Sequence, residues 1–191
     1  MRQWLPPLAA AVYWIGVGLR ARLFRRRLGH SPNLRPRNKR EKALWAGWAL
    51  VSVGWAAAPF FGGIWPIFGG PWWLFLGATV ILAGMAGTVW SHLSMGDAWR
   101  VGVRVDEKTP LVTTGPYQLI RHPIYSFQCL ILVGVFLLAP SPMMLFVILA
   151  HLYLVWLKIR DEESHMAQLH GPLYKEYALR TGSLWPRFKR A

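Results

Sequence analysis

Charged residues are scarce in this sequence of 191 residues, and they are unevenly placed. Asp, Glu, Lys and Arg make up only 16% of the chain, whereas about 25% is usual for a soluble domain. Three stretches lack all four residue types: Gln3–Leu19, Ala43–Gly96 and His122–Leu157. A helix that crosses a hydrocarbon core of roughly 30 Å needs about 20 apolar residues. The composition therefore excludes an ordinary soluble domain and indicates an all-α, polytopic membrane protein.

Cysteine and acidic residues are also rare. The single cysteine, Cys129, lies in a neutral stretch, which excludes a disulfide framework or a cysteine-rich zinc site within this sequence. His165 and His170 share no helix face well, so no metal site is expected. The 22 basic and 8 acidic residues give a net charge of +14. A nucleic-acid-binding protein would spread its Lys and Arg over a polar surface; here they are segregated from neutral tracts, so no nucleic-acid partner is expected.

The neutral stretches predict about five spans. The second stretch is too long for one helix and contains a Gly/Pro/Trp-rich break at Gly62–Pro71. The third is interrupted at Ala139–Pro142, because proline cannot continue a helix without losing a backbone hydrogen bond. The last two spans therefore form a tight C-terminal hairpin, with arms of about 23 Å at 1.5 Å per residue. The predicted spans are 3–24, Leu44–Phe61, Trp72–Leu93, Ile124–Leu138 and Met143–Leu157.

Small residues predict how the third span packs. Gly84 and Gly87, and likewise Ala83 and Ala86, are spaced so that a neighbouring helix could approach closely.

Basic residues predict the orientation. Of the 22 Lys and Arg residues, ten lie in 20–42, four in 100–121 and seven from position 158 onward. With five spans, these segments share one face, which the positive-inside rule makes cytoplasmic, with the N-terminus outside. The first stretch is expected to be an uncleaved span, and the loop 20–42 to bind anionic headgroups of membrane lipids. The acidic residues fall on the same face, so any chemistry is expected there, in a multi-pass protein of the cell membrane if the source is bacterial.

The predicted spans and basic segments divide the chain into two regions. Residues 1–96 are expected to form an N-terminal transmembrane region with three spans. Residues 97–191 are expected to form the catalytic region, with the hairpin at 124–157 and a cytoplasmic C-terminal segment.

The segment Leu111–Tyr125 (LVTTGPYQLIRHPIY) carries the first candidate site. Pro123 suits the first position of a helix, which makes His122 the cap residue. Free N–H groups at a helix N-terminus bind anions, and Arg121 would add positive charge. The alternative is a polar helix entry with Arg121 reaching toward lipid headgroups; the residues alone leave the two equally open.

The segment 158–187 carries the second candidate site. The fifth helix is expected to leave the membrane and continue to His170, because a Gly-Pro pair follows. The acidic run 161–163 stands at the membrane exit, where the negative leaflet disfavours acids. A cationic partner explains the run; the alternative is a solvated acidic turn paired with Lys158 and Arg160. Because the hairpin brings both segments together, they would suit a ligand with a carboxylate and an ammonium, such as the amino-acid end of S-adenosylmethionine.

With these residues in view, the sequence resembles the isoprenylcysteine carboxyl methyltransferases and their phospholipid N-methyltransferase relatives, small multi-span enzymes that use S-adenosylmethionine. The resemblance covers 99–187 and rests on LVTTGPY, RHPIY and the Glu-Glu pair followed by Gly171, Tyr174 and Tyr177. The first two spans match only in character.

The resemblance also implies roles. Glu162 would hold the cofactor ammonium. Lys158 stands where the family usually has an Arg for the methyl acceptor; it keeps the charge but loses the bidentate geometry. Arg100 would face the acceptor as well. For an amine acceptor, Glu163 or His165 would remove the proton. The implied cofactor contacts are Leu111, Val112, Tyr117, His122, Pro123, Ile124, Tyr125 and Glu162.

Two further departures from the family pattern stand out. Phe127 occupies a position that is usually small, and His170 replaces a usual Phe.

The expected acceptor is lipidic, either an isoprenylcysteine-like carboxylate or a phospholipid-like amine, and it would enter laterally between spans. A water-poor site favours methyl transfer from a sulfonium to an anion, because two opposite charges disappear. No obligate protein partner is evident. The alternatives are a sterol- or steroid-type NADPH reductase, whose dinucleotide would need several cations, and a non-catalytic membrane scaffold.

Overall fold

The structure is a computed structural model that describes residues 2–29, 36, 38–61, 70–99 and 110–187. Within these ranges the chain forms six α-helices and no β-strand. Short 3-10 turns precede α1 and lie at Gly96–Ala98 and Gly115–Gln118. The helices are α1 (Leu5–Leu28), α2 (Lys39–Phe61), α3 (Pro71–Met95), α4 (Pro123–Leu138), α5 (Pro142–His170) and α6 (Pro172–Arg180).

The five predicted spans all occur as helices, α1 to α5. By length and composition, α2, α5 and α3 with its extension to Ala98 are long and apolar enough to cross a membrane, and α4 is a shorter apolar helix. α1 has 24 residues, but its C-terminal half carries five arginines. The chain is therefore an integral membrane protein with an all-α, polytopic fold.

The hairpin is sharply defined by proline and a side-chain cap. α4 ends at Leu138, and α5 begins at Pro142 after Ser141, whose Oγ accepts a hydrogen bond from the backbone N–H of Met144 at 3.1 Å. α5 then runs for 29 residues to His170 and ends at Gly171, whose φ of +53° suits glycine. Both the predicted break and the predicted helix end are confirmed.

Glycine brings α3 and α4 into close contact. A Cβ at Gly84 would lie 2.6 Å from the Ile131 side chain, and one at Gly87 would lie 2.3 Å from the Phe127 ring. Gly87 therefore makes the space that the bulky Phe127 needs. The predicted close packing at Gly84 and Gly87 is confirmed.

Ala83 and Ala86 do not share in this packing. Both are exposed, so the expectation for that pair is wrong, since it lies off the face that meets α4.

The remaining packing leaves one end of the bundle for a site. α3 lies mainly against α4, and α2 mainly against α5, while α1 contacts α2 and α4. The buried core includes Trp55 of α2, Ile131 and Val135 of α4, and Met144 of α5. α2 and α4 begin, and α3 ends, at the end of the bundle from which α5 extends toward α6.

Candidate active site

A cavity of about 310 Å³ opens at this end of the bundle. Its walls come from α1, α2, the end of α3, the segment 110–112, the start of α4, the exit of α5 and α6. The eight residues that the family resemblance implied as cofactor contacts all line it: Leu111, Val112, Tyr117, His122, Pro123, Ile124, Tyr125 and Glu162. The two segments that the sequence singled out therefore share one chamber.

Glu162 contacts three side chains in that chamber. Its Oε1 accepts a hydrogen bond from the Tyr125 hydroxyl at 2.8 Å and lies 3.6 Å from the Lys158 Nζ. Its Oε2 lies 3.3 Å from Nδ1 of His122. The hairpin explains this geometry, because it places the start of α4 beside the exit of α5. Lys158 reaches Glu162 from one turn away on the same helix face.

His122 joins two carboxylates. Its φ of −123° and its position directly before Pro123 confirm it as the cap residue of α4, although its side chain makes no capping hydrogen bond. The ring instead faces Glu162 through Nδ1 and Glu163 through Nε2, the latter at 3.2 Å from Oε1. Burial opposes protonation, but the hydrogen bonds and charges of both carboxylates outweigh it and raise the pKa of His122 above its ordinary 6.5. The imidazolium form is thereby favoured.

Glu163 and Arg121 form a second polar group behind His122. Nε of Arg121 donates to Oε1 of Glu163 at 2.9 Å, and its Nη1 donates to the carbonyls of Ala178 and Thr181 at 3.1 and 2.6 Å. The Ser183 hydroxyl donates to the same Glu163 oxygen at 3.2 Å. Arg121 is thus bound to the C-terminal segment, a role that neither sequence interpretation of this residue included.

Residues Thr181–Leu184 fold back onto the start of α4, and we call them the C-terminal clasp. The backbone N–H groups of Arg121 and His122 donate to the carbonyls of Gly182 and Ser183 at 2.8 and 3.1 Å. The Ser126 hydroxyl donates to the Leu184 carbonyl at 2.6 Å. The clasp therefore fixes the backbone of His122 at the start of α4.

One glycine within the clasp and one hydrogen bond beside it define the local geometry. A Cβ at Gly182 would lie 1.6 Å from the Trp185 carbonyl oxygen, so only glycine fits there. The Tyr177 hydroxyl donates to the Tyr117 carbonyl at 2.7 Å. Burial raises the pKa of Tyr177 to about 12, so this hydroxyl keeps its proton at neutral pH. Sequence reasoning missed the clasp, because backbone pairing between distant segments leaves no side-chain pattern.

The walls that α1 and α2 contribute are mostly apolar and aromatic, and we call them the apolar end of the cavity. Trp48 lies nearly parallel to Tyr125 at 6.4 Å between ring centroids and meets His151 edge-on at 4.9 Å. Deeper in the bundle, the Gln128 amide donates to the Tyr13 hydroxyl. The remaining walls at this end include Trp14, Val17, Leu44 and Trp45. These residues had no signal in the sequence, since aromatic side chains are common in any span.

The candidates for acceptor chemistry separate in space. Lys158 and His165 line the cavity. Glu163 is not among the lining residues, and its Oε1 is bound to Arg121, His122 and Ser183. Arg100 lies outside the described residues.

The acidic run at the membrane exit does not act as one unit. Asp161 pairs with Arg40 of α2 at 2.7 Å, while Glu162 and Glu163 turn toward His122. In the described ranges, no group of three or more His, Cys, Asp or Glu is arranged to hold a metal ion.

Comparison with known proteins places the chain in a family. A family model described as phospholipid methyltransferase matches residues 72–172. This chain belongs to the phospholipid methyltransferase family. The match covers α3, the hairpin and the site residues on both of its arms, and it leaves out α1, α2 and the clasp.

Two curated proteins resemble this phospholipid methyltransferase family member. The nickel-cobalt-cadmium resistance protein NccN of Alcaligenes xylosoxydans xylosoxydans is 27% identical over 113 residues, or 59% of this chain and 52% of that protein. Protein-S-isoprenylcysteine O-methyltransferase B of Arabidopsis thaliana is 33% identical over 102 residues, or 51% of this chain and 47% of that protein. The chain spans about half the length of the curated relatives it matches.

A solved structure shares the fold. The structure of a eukaryotic intramembrane Ras methyltransferase, isoprenylcysteine carboxyl methyltransferase, superposes with a TM-score of 0.58 at 21% identity. The superposition covers 80% of this chain and 54% of that one. It therefore extends beyond the family match and supports the polytopic architecture.

Proposed function

We propose that this protein is an S-adenosylmethionine-dependent methyltransferase that acts on a lipidic acceptor inside the membrane. One observation carries the proposal: a single cavity is lined both by Glu162 and by apolar and aromatic side chains of α1 and α2. A polar, zwitterionic cofactor suits the first end. The hydrophobic part of an acceptor suits the second.

The cofactor end passes a chemical test of fit. Glu162 offers a carboxylate for an ammonium, and the first turn of α4, at Ile124 and Tyr125, presents backbone N–H groups suited to a carboxylate. Leu111, Val112 and Tyr117 supply apolar and aromatic contacts, with His122 and Pro123 beside them. When bound, S-adenosylmethionine supplies an electrophilic methyl group on a positively charged sulfur.

The protein's own part is to hold, align and exclude water. Lys158 lines the cavity and would orient an anionic acceptor; Arg100 is proposed for the same task. The aromatic walls keep water away, which favours a reaction that removes two opposite charges. Alignment contributes further to the rate. For an amine acceptor, His165 is the base on the cavity wall, whereas we assign Glu163 to positioning His122.

The proposed topology follows the basic segments. We propose that the site faces the cytoplasm, that 97–191 is the catalytic region, and that 1–96 supplies the acceptor end. A lipidic acceptor would enter laterally between spans. Retained activity on small soluble acceptors together with lost activity on hydrophobic ones would contradict lateral entry.

The reductase alternative is weaker because the candidate cations for a dinucleotide already have partners. Arg121 is bound to the end of α6, and Lys158 to Glu162. Arg160 lies over the Trp156 ring, and Arg180 pairs with Glu176. A scaffold would need neither a joined cavity nor the Glu162 network.

The first experiment is calorimetric titration of S-adenosylmethionine into the detergent-purified protein and into Glu162→Gln. Glu176→Gln is the matched control, because Glu176 is an exposed acid on α6, 63% exposed and paired only with its helix neighbour Arg180 in the described contacts. We expect the wild type and the control to bind and Glu162→Gln to lose binding by about 100-fold, since a buried charge-assisted contact disappears. No binding by folded wild type would overturn the proposal, and titration with a nicotinamide dinucleotide would then test the reductase alternative.

A further inference from the structure

Lys158 and Glu162 form an ion pair that is easy to separate. Nζ lies 3.6 Å from Oε1, beyond the range of about 2.7–3.2 Å for a hydrogen bond from nitrogen to oxygen. The Tyr125 hydroxyl donates to that same oxygen at 2.8 Å. The Lys158 and Glu162 side chains are only 17% and 24% exposed. One oxygen therefore carries a tight neutral donor and a loosely held cation.

The same carboxylate is where the proposed function puts the cofactor ammonium, and the inference rests on that function. Two ammonium groups at one carboxylate repel each other, and the repulsion is poorly screened in a partly buried site. His122 is held by Glu163 and by the clasp, so it stays in place. Lys158 has a flexible four-carbon stem and can move.

We propose that Lys158 neutralises Glu162 only while the cofactor is absent, and that the cofactor ammonium displaces it. The displaced Lys158 is then available to an anionic group of the methyl acceptor. The protein thus exchanges one cation for another at Glu162 and uses the released one to bind its second substrate.

The position of Lys158 on α5 favours this use. It lies four residues before Glu162, about 6 Å closer to the hairpin along the helix. His151, two turns before Lys158 on α5, meets the Trp48 ring edge-on at 4.9 Å, and Trp48 also lines the cavity. A released ammonium therefore remains at the end from which a lipidic acceptor would arrive. The expected order of binding is cofactor first and acceptor second.

Lysine, rather than arginine, makes the exchange necessary. An arginine has a planar fork with several donors and can bind two anions together. A lysine carries one compact charge, so its ammonium cannot bind Glu162 and an anionic acceptor equally well at the same time. The departure from the family pattern at this position is thereby explained as a switch between two partners.

The test measures binding rather than turnover. Lys158→Met and the exposed control Lys175→Met are titrated with S-adenosylmethionine and with 5′-methylthioadenosine, which lacks the amino-acid end. We expect Lys158→Met to bind S-adenosylmethionine about three to ten times more tightly, because no competitor must be displaced. Its affinity for 5′-methylthioadenosine, and both affinities of Lys175→Met, should stay near wild type.

A second measurement needs no variant. Wild type is titrated with N-acetyl-S-farnesylcysteine, an anionic lipid, with and without saturating S-adenosylhomocysteine. We expect at least about fivefold tighter binding when the nucleoside is present, since coupling between the two sites is reciprocal.

The outcomes separate the two proposals. Unchanged or weaker S-adenosylmethionine binding by a folded Lys158→Met protein overturns the exchange, and so does equal farnesylcysteine binding with and without the nucleoside. Failure of the wild type to bind S-adenosylmethionine at all overturns the proposed function instead.

Discussion

The two ends of the cavity are built in different ways. At the proposed cofactor end, Glu162, Glu163 and Arg121 each contact three groups, and His122 lies between both carboxylates. At the proposed acceptor end, the walls from α1 and α2 are mostly aromatic and aliphatic, and Trp45 remains 39% exposed. One end is a connected polar network, and the other is an apolar surface.

This difference indicates which end tolerates amino-acid substitution. A partner removed from a buried network leaves other groups unsatisfied, so the cost is large. An apolar wall loses contact area in proportion to what is removed, so the cost is graded. The family match begins at residue 72, after α1 and α2. We infer that His122, Glu162 and Glu163 belong to the shared part of the site, and that the apolar walls from α1 and α2 are the adjustable part.

The largest expected effect is at Arg121. Arg121→Met removes three hydrogen bonds that connect Glu163 and the clasp, so we expect a loss of about 3 kcal/mol in the free energy of unfolding. Cofactor affinity should fall with it, because His122 loses its support. Thermal unfolding in detergent and calorimetry measure both. Arg180→Met, a 66% exposed arginine on α6, is the control; equal effects in the two variants would refute the distinction.

A smaller effect is expected at the apolar end. Trp45→Ala should raise the KM for a lipidic acceptor about tenfold, because about 1.4 kcal/mol of apolar contact is lost. The Kd for S-adenosylmethionine should not change. Trp72→Ala, at the opposite end of α3 and 81% exposed, is the control. A parallel change in cofactor Kd would show that the two ends are not separate.

The pH dependence sharpens the cofactor end further. Because the pKa of His122 is raised in the folded protein, its contribution to stability is complete below the unfolded value near 6.5 and is lost as pH rises through the folded value. We expect the Tm difference between wild type and His122→Gln to be widest near pH 6 and to narrow in alkaline solution. A difference that stays constant over this range would contradict an imidazolium between the two carboxylates.

The smallest effect is expected at Arg40. Its pair with Asp161 joins α2 to α5 at 2.7 Å, but the Arg40 side chain is 64% exposed. An exposed ion pair contributes about 0.5 kcal/mol. Arg40→Met should therefore shift the Tm only slightly and leave cofactor binding unchanged. Screening the pair in the wild type with 0.5 M salt should likewise shift the Tm only slightly.

The fold was predictable where proline, glycine and charge act locally. Pro140 and Pro142 interrupt a neutral stretch, so the hairpin could be located to within a residue or two. Gly171 and the following proline likewise marked the end of α5. The start of α2 was predicted five residues late, at 44 rather than 39, because its first turn is charged.

The site was predictable only on its polar side. Glu162 stood out because acidic residues are unusual where a helix leaves the membrane. His122 stood out because it directly precedes a proline at the start of a helix. The clasp is made of backbone hydrogen bonds to Gly182 and Ser183, which carry no residue pattern. The apolar end uses residues such as Trp48 that resemble any lipid-facing side chain. Long-range pairing and shared burial are properties of the fold, and local sequence does not encode them visibly.

The clasp has a consequence for how the protein is made. Residues 181–184 follow both arms of the hairpin in the chain, yet they support His122 at the start of the first arm. The ribosome synthesises both arms before the clasp. The support of His122 can therefore be completed only when nearly the whole described chain has been made, so a partly synthesised chain that holds α4 alone lacks it.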